Sequence, residues 1–423
     1  MKCRVAILAA TALAAAPAAA KTSVVTAARM LDVEKGVLLP EPVIVVTDGR
    51  IASVVTRGGA RPAIPEGAER IDLGDATLVP GLIDMHVHLT SNAVYGGYTG
   101  LQFTDSFWIA QGVGNAERTL RAGFTTVRNV GSNDYGDVGI KQAIDGGWVT
   151  GPRIVPAAYA LGATGGHCDE TFLPPSYKAV SPAMGDSPEE LRKRVREQRK
   201  YGAEVIKVCA TGGVFSRNTA PGIQQLSEAE LKAVADEAHF WKLKTAAHAH
   251  GADGIKAAIR AGIDTIEHVS FIDDEGIRLA KERGTWLGFD VYNTDYTLAE
   301  GAKNGVLPEN IEKERQVGTL QRENFRKAAR AGARMIFSTD AGVYPHGDNA
   351  KQFAVMVRYG LTPAEAIRSA TWNAAQALGR EGDVGAIAVG RYGDLVAVKG
   401  DPLADVTVLE RPVAVVKGGV RVE

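Results

Sequence analysis

The sequence predicts an α/β fold, a closed (β/α)8 TIM barrel carrying a small β-sheet domain built from both chain ends. Three observations predict it. A strand, a loop and an amphipathic helix recur eight times over roughly 270 residues, the length and rhythm of such a barrel. The segments before and after that stretch are both rich in short β-branched runs. The first barrel strand also runs into His86-Val87-His88, where a doubly wound dinucleotide-binding sheet would carry a Gly-rich turn.

Residues 1–20 read as a secretory signal. Lys2 and Arg4 precede an alanine-rich apolar run ending in Ala18-Ala19-Ala20, the small-residue pattern of a cleavage site. The run is shorter than the ~20 apolar residues of a membrane span, so no stable membrane insertion is expected. Cys3 lies before the apolar run rather than after it, which speaks against a lipoprotein. The expected location is therefore exported, in the periplasm. Beyond residue 20 only Cys168 and Cys209 remain, and sequence separation does not decide whether they are free or joined.

Residues 21–78 alternate short strands with turns. Val43–Thr47 and the run 51–55 flank Asp48-Gly49, the strongest short-range hairpin signal. Residues 79–379 form the expected barrel, with strands at 82–88, 124–131, 153–161, 205–211, 244–251, 265–270, 286–292 and 334–342. Ser187-Pro188-Glu189-Glu190 and Ser227-Glu228-Ala229-Glu230 open two of the intervening helices with caps. Gly123, Gly202, Gly262 and Gly332 close others. Short strands return at 394–398 and 413–417. Alone, each end would have a thin core, so 21–78 and 380–423 are read as one sheet domain.

With 48 basic and 49 acidic residues the formal charge is −1, so no basic surplus attracts nucleic acid or anionic lipid.

The chemistry gathers at predicted strand ends. His86 and His88 are two apart on a strand and project the same way, a good pair of ligands for a zinc-like ion. His248 and His250 end the fifth strand, His268 the sixth, and Asp340 follows the apolar run of the eighth. All fall at the C-terminal face, where barrel enzymes carry their sites. Lys207 sits inside the apolar strand Val205–Cys209. It is either a buried salt bridge or snorkelling side chain, or an amine made neutral by burial. Such an amine adds carbon dioxide to form a carbamate that can bridge two metals.

His-x-His after strand one, Lys on four, His on five and six, and Asp on eight resemble the amidohydrolase superfamily, in its two-metal subtype with a carboxylated lysine. Gly165-Gly166-His167, the segment 207–213, His248-Ala249-His250-Gly251 and Ile266-Glu267-His268 resemble its prolidase-like and Xaa-Arg/Lys dipeptidases. The resemblance implies two divalent ions, zinc by expectation. His86, His88 and Asp340 would hold one and His248 and His268 the other, with a carbamate on Lys207 bridging them. Asp340 would also move the proton of the attacking water.

The resemblance further places His167 and Tyr292 on the substrate carbonyl or carboxylate; for Tyr292 the alternative is packing at the barrel rim. His250 reads as a substrate contact, an exchange partner for His248 or a plain rim residue. The loop 211–222 is a lid, a carboxylate nest or a surface loop. Asp105, Asp169, Glu170, Asp290 and Asp295 are candidate partners for a cationic substrate side chain.

The expected activity is an exported dipeptidase or carboxypeptidase releasing a C-terminal residue, Arg or Lys before Pro. A cyclic-amide or lactone hydrolase is the rival on the same scaffold, and a non-catalytic metal-binding protein the rival of another class. Small peptides are the expected partners, and self-association into a homo-oligomer is left open.

Overall fold

The structure is a computed structural model that describes residues 21–60 and 62–423. The signal-like segment 1–20 lies outside the described residues.

Eight parallel strands form the barrel: Leu82–Val87, Phe124–Asn129, Arg153–Pro156, Val205–Cys209, Lys244–Ala249, Thr265–His268, Trp286–Phe289 and Met335–Phe337. Strands one to three pair in sequence order, and so do four to eight. Two parallel bridges close the ring. Leu161 with Val208 joins the extension of strand three to strand four, and Val87 with Ala341 joins strand one to strand eight. Nearly every strand position is buried, as befits a parallel sheet covered by helices.

The strands are shorter than the sequence predicts, and their ends show why. Strand three stops at Pro156 because Ala158 turns to a φ of 59°, and only Leu161 rejoins the barrel. Strand six ends at His268, with a φ of 70°, and Asp340 beyond strand eight has a φ of 59°. Apolar runs that continue in sequence therefore leave the sheet at the C-terminal mouth, where side chains are re-aimed.

The remaining strands make two small sheets. One holds Arg50–Val55, Val43–Thr47, Thr22–Thr26 and Glu69–Asp72; the other runs Val420–Arg421, Ala414–Lys417, Leu395–Val398, Thr77–Pro80, Arg29–Asp32 and Val37–Pro40, its two halves joined where Leu395–Val398 pairs with Thr77–Pro80. Val25, Ile44 and Leu78 share a core with Leu395 and Val416, so neither chain end is packed without the other. Asp48 and Gly49, with φ of 49° and 81°, make the hairpin turn that the dipeptide predicts. Arg153 of strand three pairs with Asp394, tying this unit to the barrel. Among the described residues no helix is long and apolar enough to cross a membrane.

Candidate active site

Strand one and the turn after strand eight build the first half of the site. Asp340 Oδ1 lies 3.3 Å from Nε2 of both His86 and His88, and those two nitrogens are 3.3 Å apart. Burial alone would raise the Asp340 carboxyl, but His86 and His88 hold it well below the ordinary carboxylate range. A non-glycine residue in the left-handed region is strained, and both Asp340 and His268 sit there. The surrounding barrel supports that strain at two converging donors.

Strands five and six build the second half. His248, His250 and His268 bring ring nitrogens within 4.8 Å of one another, and His268 also converges with Asp290 and Asp340. Both His248 and His250 therefore reach the second group, and burial among other histidines keeps both well below the usual imidazole range.

The donor set fits metal binding by a test independent of spacing. Each of four histidines commits one ring nitrogen to a group that can only accept a hydrogen bond. His86 Nδ1 faces Glu267 Oε2 at 3.3 Å, and His88 Nδ1 faces the Gly131 carbonyl at 3.1 Å. His248 Nε2 faces the Gly212 carbonyl at 3.2 Å, and His268 Nδ1 faces Asp290 Oδ2 at 3.0 Å. The committed nitrogen carries the proton, so in a neutral ring the other is a bare donor, the arrangement by which metal-ligating histidines are oriented.

Lys207 is 3% exposed, and its charge acts on His86 and His88 of one group and on His248 of the other. Burial pushes its amine down to about 8. Among the described residues no hydrogen bond or ion pair holds this amine, so the buried salt bridge weighed from sequence is not formed.

A cavity of about 480 Å³ opens over these groups, lined by His86, His88, His167, Lys207, His248, His250, His268 and Asp340. His167 stacks on His248 at 4.1 Å, its Nδ1 is 2.8 Å from Ser216 Oγ, and burial pushes it down to about 3. A Cβ on Gly213 would fall 2.3 Å from that ring, so only glycine lets the 211–222 loop close over it. That loop is thus a wall of the site, giving the Gly212 carbonyl and the Ser216 hydroxyl to histidines. Cys168 and Cys209 form a disulfide, Cα to Cα 5.9 Å, fastening the His167 loop to strand four. His250 lines the cavity with Nδ1 2.8 Å from Ser270 Oγ.

Tyr292 is placed otherwise than expected. Strand seven ends at Phe289 and Tyr292 caps the helix Asn293–Glu300. Its ring packs on Tyr344 at 4.9 Å and is not among the residues lining the cavity, an arrangement of the rim-packing kind weighed as its alternative. Three of the candidate acids are also used internally. Asp290 holds His268 and accepts from Gln321 at 2.5 Å, Asp295 pairs with Arg322 at 2.6 Å, and Asp169 accepts backbone N–H groups of Gly165, Glu170 and Ser181. Asp105 and Glu170 line an adjoining cavity.

Sequence reasoning missed Glu267 and Arg128, a fully buried pair beneath His86. Their signal was faint: each is a charge on a short strand that mixes apolar and polar residues. It also missed Glu314, which lines the cavity from the helix Pro308–Arg330 and has no such signal.

The pattern of the amidohydrolase family matches residues 77–422. The chain belongs to the amidohydrolase family. Ochratoxinase from Aspergillus niger is 35% identical over 365 residues, covering 81% of this chain and 75% of that one. A crystallised Xaa-Pro dipeptidase with bound methionine in its active site superposes with a TM-score of 0.88 at 33% identity, covering 95% of this chain and 100% of that chain. A prolidase crystallised with N-methylphosphonate-L-proline gives 0.86 at 33% identity, with the same coverage. This amidohydrolase is accordingly a hydrolase acting on amide bonds. Its family is generally metal-dependent, and the two His/Asp groups are the candidate metal-binding sites.

Proposed function

We propose that this amidohydrolase is an exported binuclear dipeptidase that hydrolyses L-Xaa-L-Xaa dipeptides and releases the C-terminal residue, Arg or Lys before Pro. The likeness to a Xaa-Pro dipeptidase and a prolidase supports a peptide substrate. One observation carries the cationic preference. Glu314 Oε1 accepts from Thr294 Oγ1 at 2.5 Å, whereas Oε2 has no hydrogen-bond or ion partner among the described residues. Burial, with Asp290 and Asp340 nearby, pushes this carboxyl up to about 8. A guanidinium or ammonium beside it would restore the carboxylate, whereas a proline ring has no charge to offer.

His86, His88 and Asp340 would hold one ion and His248 and His268 the other, with zinc assigned from the N/O donor set and a carbamate on Lys207 between them. Two such ions supply Lewis acidity and an activated water. Asp340 would be the carboxylate that accepts a proton at this site and hands it to the leaving amine. Asn293 Nδ2, 3.2 Å from Asp340 Oδ2, keeps the carboxylate in place during the transfer. The signal-like residues 1–20 and the Cys168–Cys209 bridge both support export, because disulfides persist in oxidising compartments.

Kinetics on Ala-Arg, Ala-Lys and Ala-Pro, after loading with zinc and bicarbonate, test the reading. The expected result is at least a tenfold higher kcat/KM for Arg or Lys, about 1.4 kcal/mol, and a collapse of that ratio in Glu314→Gln. Turnover of lactones or cyclic amides with none of any dipeptide would overturn it in favour of the rival hydrolase.

A further inference from the structure

Beside the catalytic cavity lies a second one of about 730 Å³. His88, Gly131, Cys168 and Phe172 line both, so the two spaces are continuous past the first metal-ligand group. One side of this annex is aromatic. Tyr95, Phe103 and Trp108 face it as an interlocked set, with ring centroids 4.7 Å apart for Tyr95–Phe103 and 5.9 Å for Phe103–Trp108. Glu170, two residues before Phe172, lines the same space, and its carboxylate has no hydrogen-bond or ion partner among the described residues.

Tyr95, Phe103, Trp108 and Glu170 have no part in the chemistry above. Drug-sized ligands occupy cavities of roughly 300–1,000 Å³, so the catalytic cavity, at about 480 Å³, has room for the peptide backbone. The annex is additional room. With the leaving residue at the Glu314 end, the annex beyond His88 falls on the acyl side of the scissile bond.

We infer that the annex is the subsite for the N-terminal residue, and that it selects a large aromatic side chain whose free α-ammonium pairs with Glu170. This rests on the dipeptidase reading above. A tryptophan or phenylalanine ring would cover the Tyr95–Phe103–Trp108 wall, and aromatic contacts add to the area that such rings bury. Glycine or alanine would leave the wall hydrated and draw nothing from it.

The test is a series with a fixed C-terminal arginine: Trp-Arg, Phe-Arg, Ala-Arg, Gly-Arg and N-acetyl-Trp-Arg. At least a tenfold higher kcat/KM for Trp-Arg than for Gly-Arg is expected, with a loss on acetylation. Phe172→Ala, which replaces a half-exposed ring, should narrow the Trp-to-Gly ratio to within threefold while circular dichroism stays native. Phe103→Leu provides a second wall variant with the same expected direction. Glu170→Gln should remove the penalty of acetylation. Equal rates across the series, or an undiminished ratio in both wall variants, overturn the inference and leave the dipeptidase reading standing. No turnover of any member, nor of the lysine and proline dipeptides, overturns both.

Discussion

Glu267 Oε2 lies 3.3 Å from His86 Nδ1, and its other oxygen takes a hydrogen bond from the buried Arg128 guanidinium. One carboxylate thus orients the ring of a candidate metal ligand and neutralises a cation that has no access to water. Burial would raise the Glu267 carboxyl, yet Arg128 and His86 hold it far below the ordinary range. Glu267→Gln should therefore fail twice. Metal affinity should fall by roughly 10–100-fold, as for other outer partners of ligating histidines. Stability should fall by about 3–5 kcal/mol, because Arg128 is left as an unpaired buried charge. Metal titration and urea denaturation read the two effects separately; unchanged metal affinity with lowered stability would reduce Glu267 to a folding role.

Lys207 is the residue on which the proposed two-metal arrangement turns. Lys207→Ala, loaded with zinc and bicarbonate, should bind roughly one ion per chain where the parent binds about two. Activity should fall with the second ion. Metal analysis of the dialysed protein decides it, and full two-ion occupancy in the variant would refute the carbamate bridge.

The Cys168–Cys209 bridge closes a loop of 41 residues and pins the segment that carries His167. Replacing both cysteines with serine should cost about 2–4 kcal/mol through the unfolded chain. It should also raise KM more than it lowers kcat, since His167 is a candidate substrate contact and not a metal ligand. Guanidinium midpoints with and without reductant give the first figure. A reductant effect that persists in the serine variant would assign the loss to something else.

His346 supplies a pH dependence separable from the metals. Its Nε2–H donates to the His88 carbonyl at 3.0 Å, and burial pushes the imidazole down from 6.5 to about 4. A histidine depressed in the fold stabilises above its unfolded pKa, and that contribution is lost as pH falls through the folded one. The window is pH 6.5 to 4. Asp84 and Asp137, both pushed up to about 6 by burial, act in the opposite sense, stabilising at low pH and losing that contribution as pH rises through about 6. The clean observable is therefore the gap between parent and His346→Gln. It should shrink by ~3 kcal/mol between pH 7 and pH 4; a gap that stays constant rules the linkage out.

Much of the molecule was legible without coordinates, for a physical reason. Periodicity reports burial along one element, so the eight strands and the hairpin at Asp48-Gly49 announced themselves. Residues at the end of every parallel strand share one rim, so His86, His88, His248, His250, His268 and Asp340 could be grouped from position, whereas Lys207, inside its strand, joined them through the family resemblance. Strand limits were less legible, because the positive φ at Ala158, His268 and Asp340, where the strands break off, leaves no mark in the apolar pattern. Partnerships across the barrel were not legible at all. That Glu267 serves His86 and Arg128, that Asp290 is taken by His268, that Tyr292 turns away to Tyr344, and that Glu314 faces the cavity from a helix are each matters of three-dimensional proximity. The sequence by itself determined which chemistry gathers at the mouth; only the tertiary structure decided which carboxylates orient histidines and which remain open to a substrate, because that depends on contacts between residues far apart in the chain, such as His86 and Glu267, 181 positions from each other.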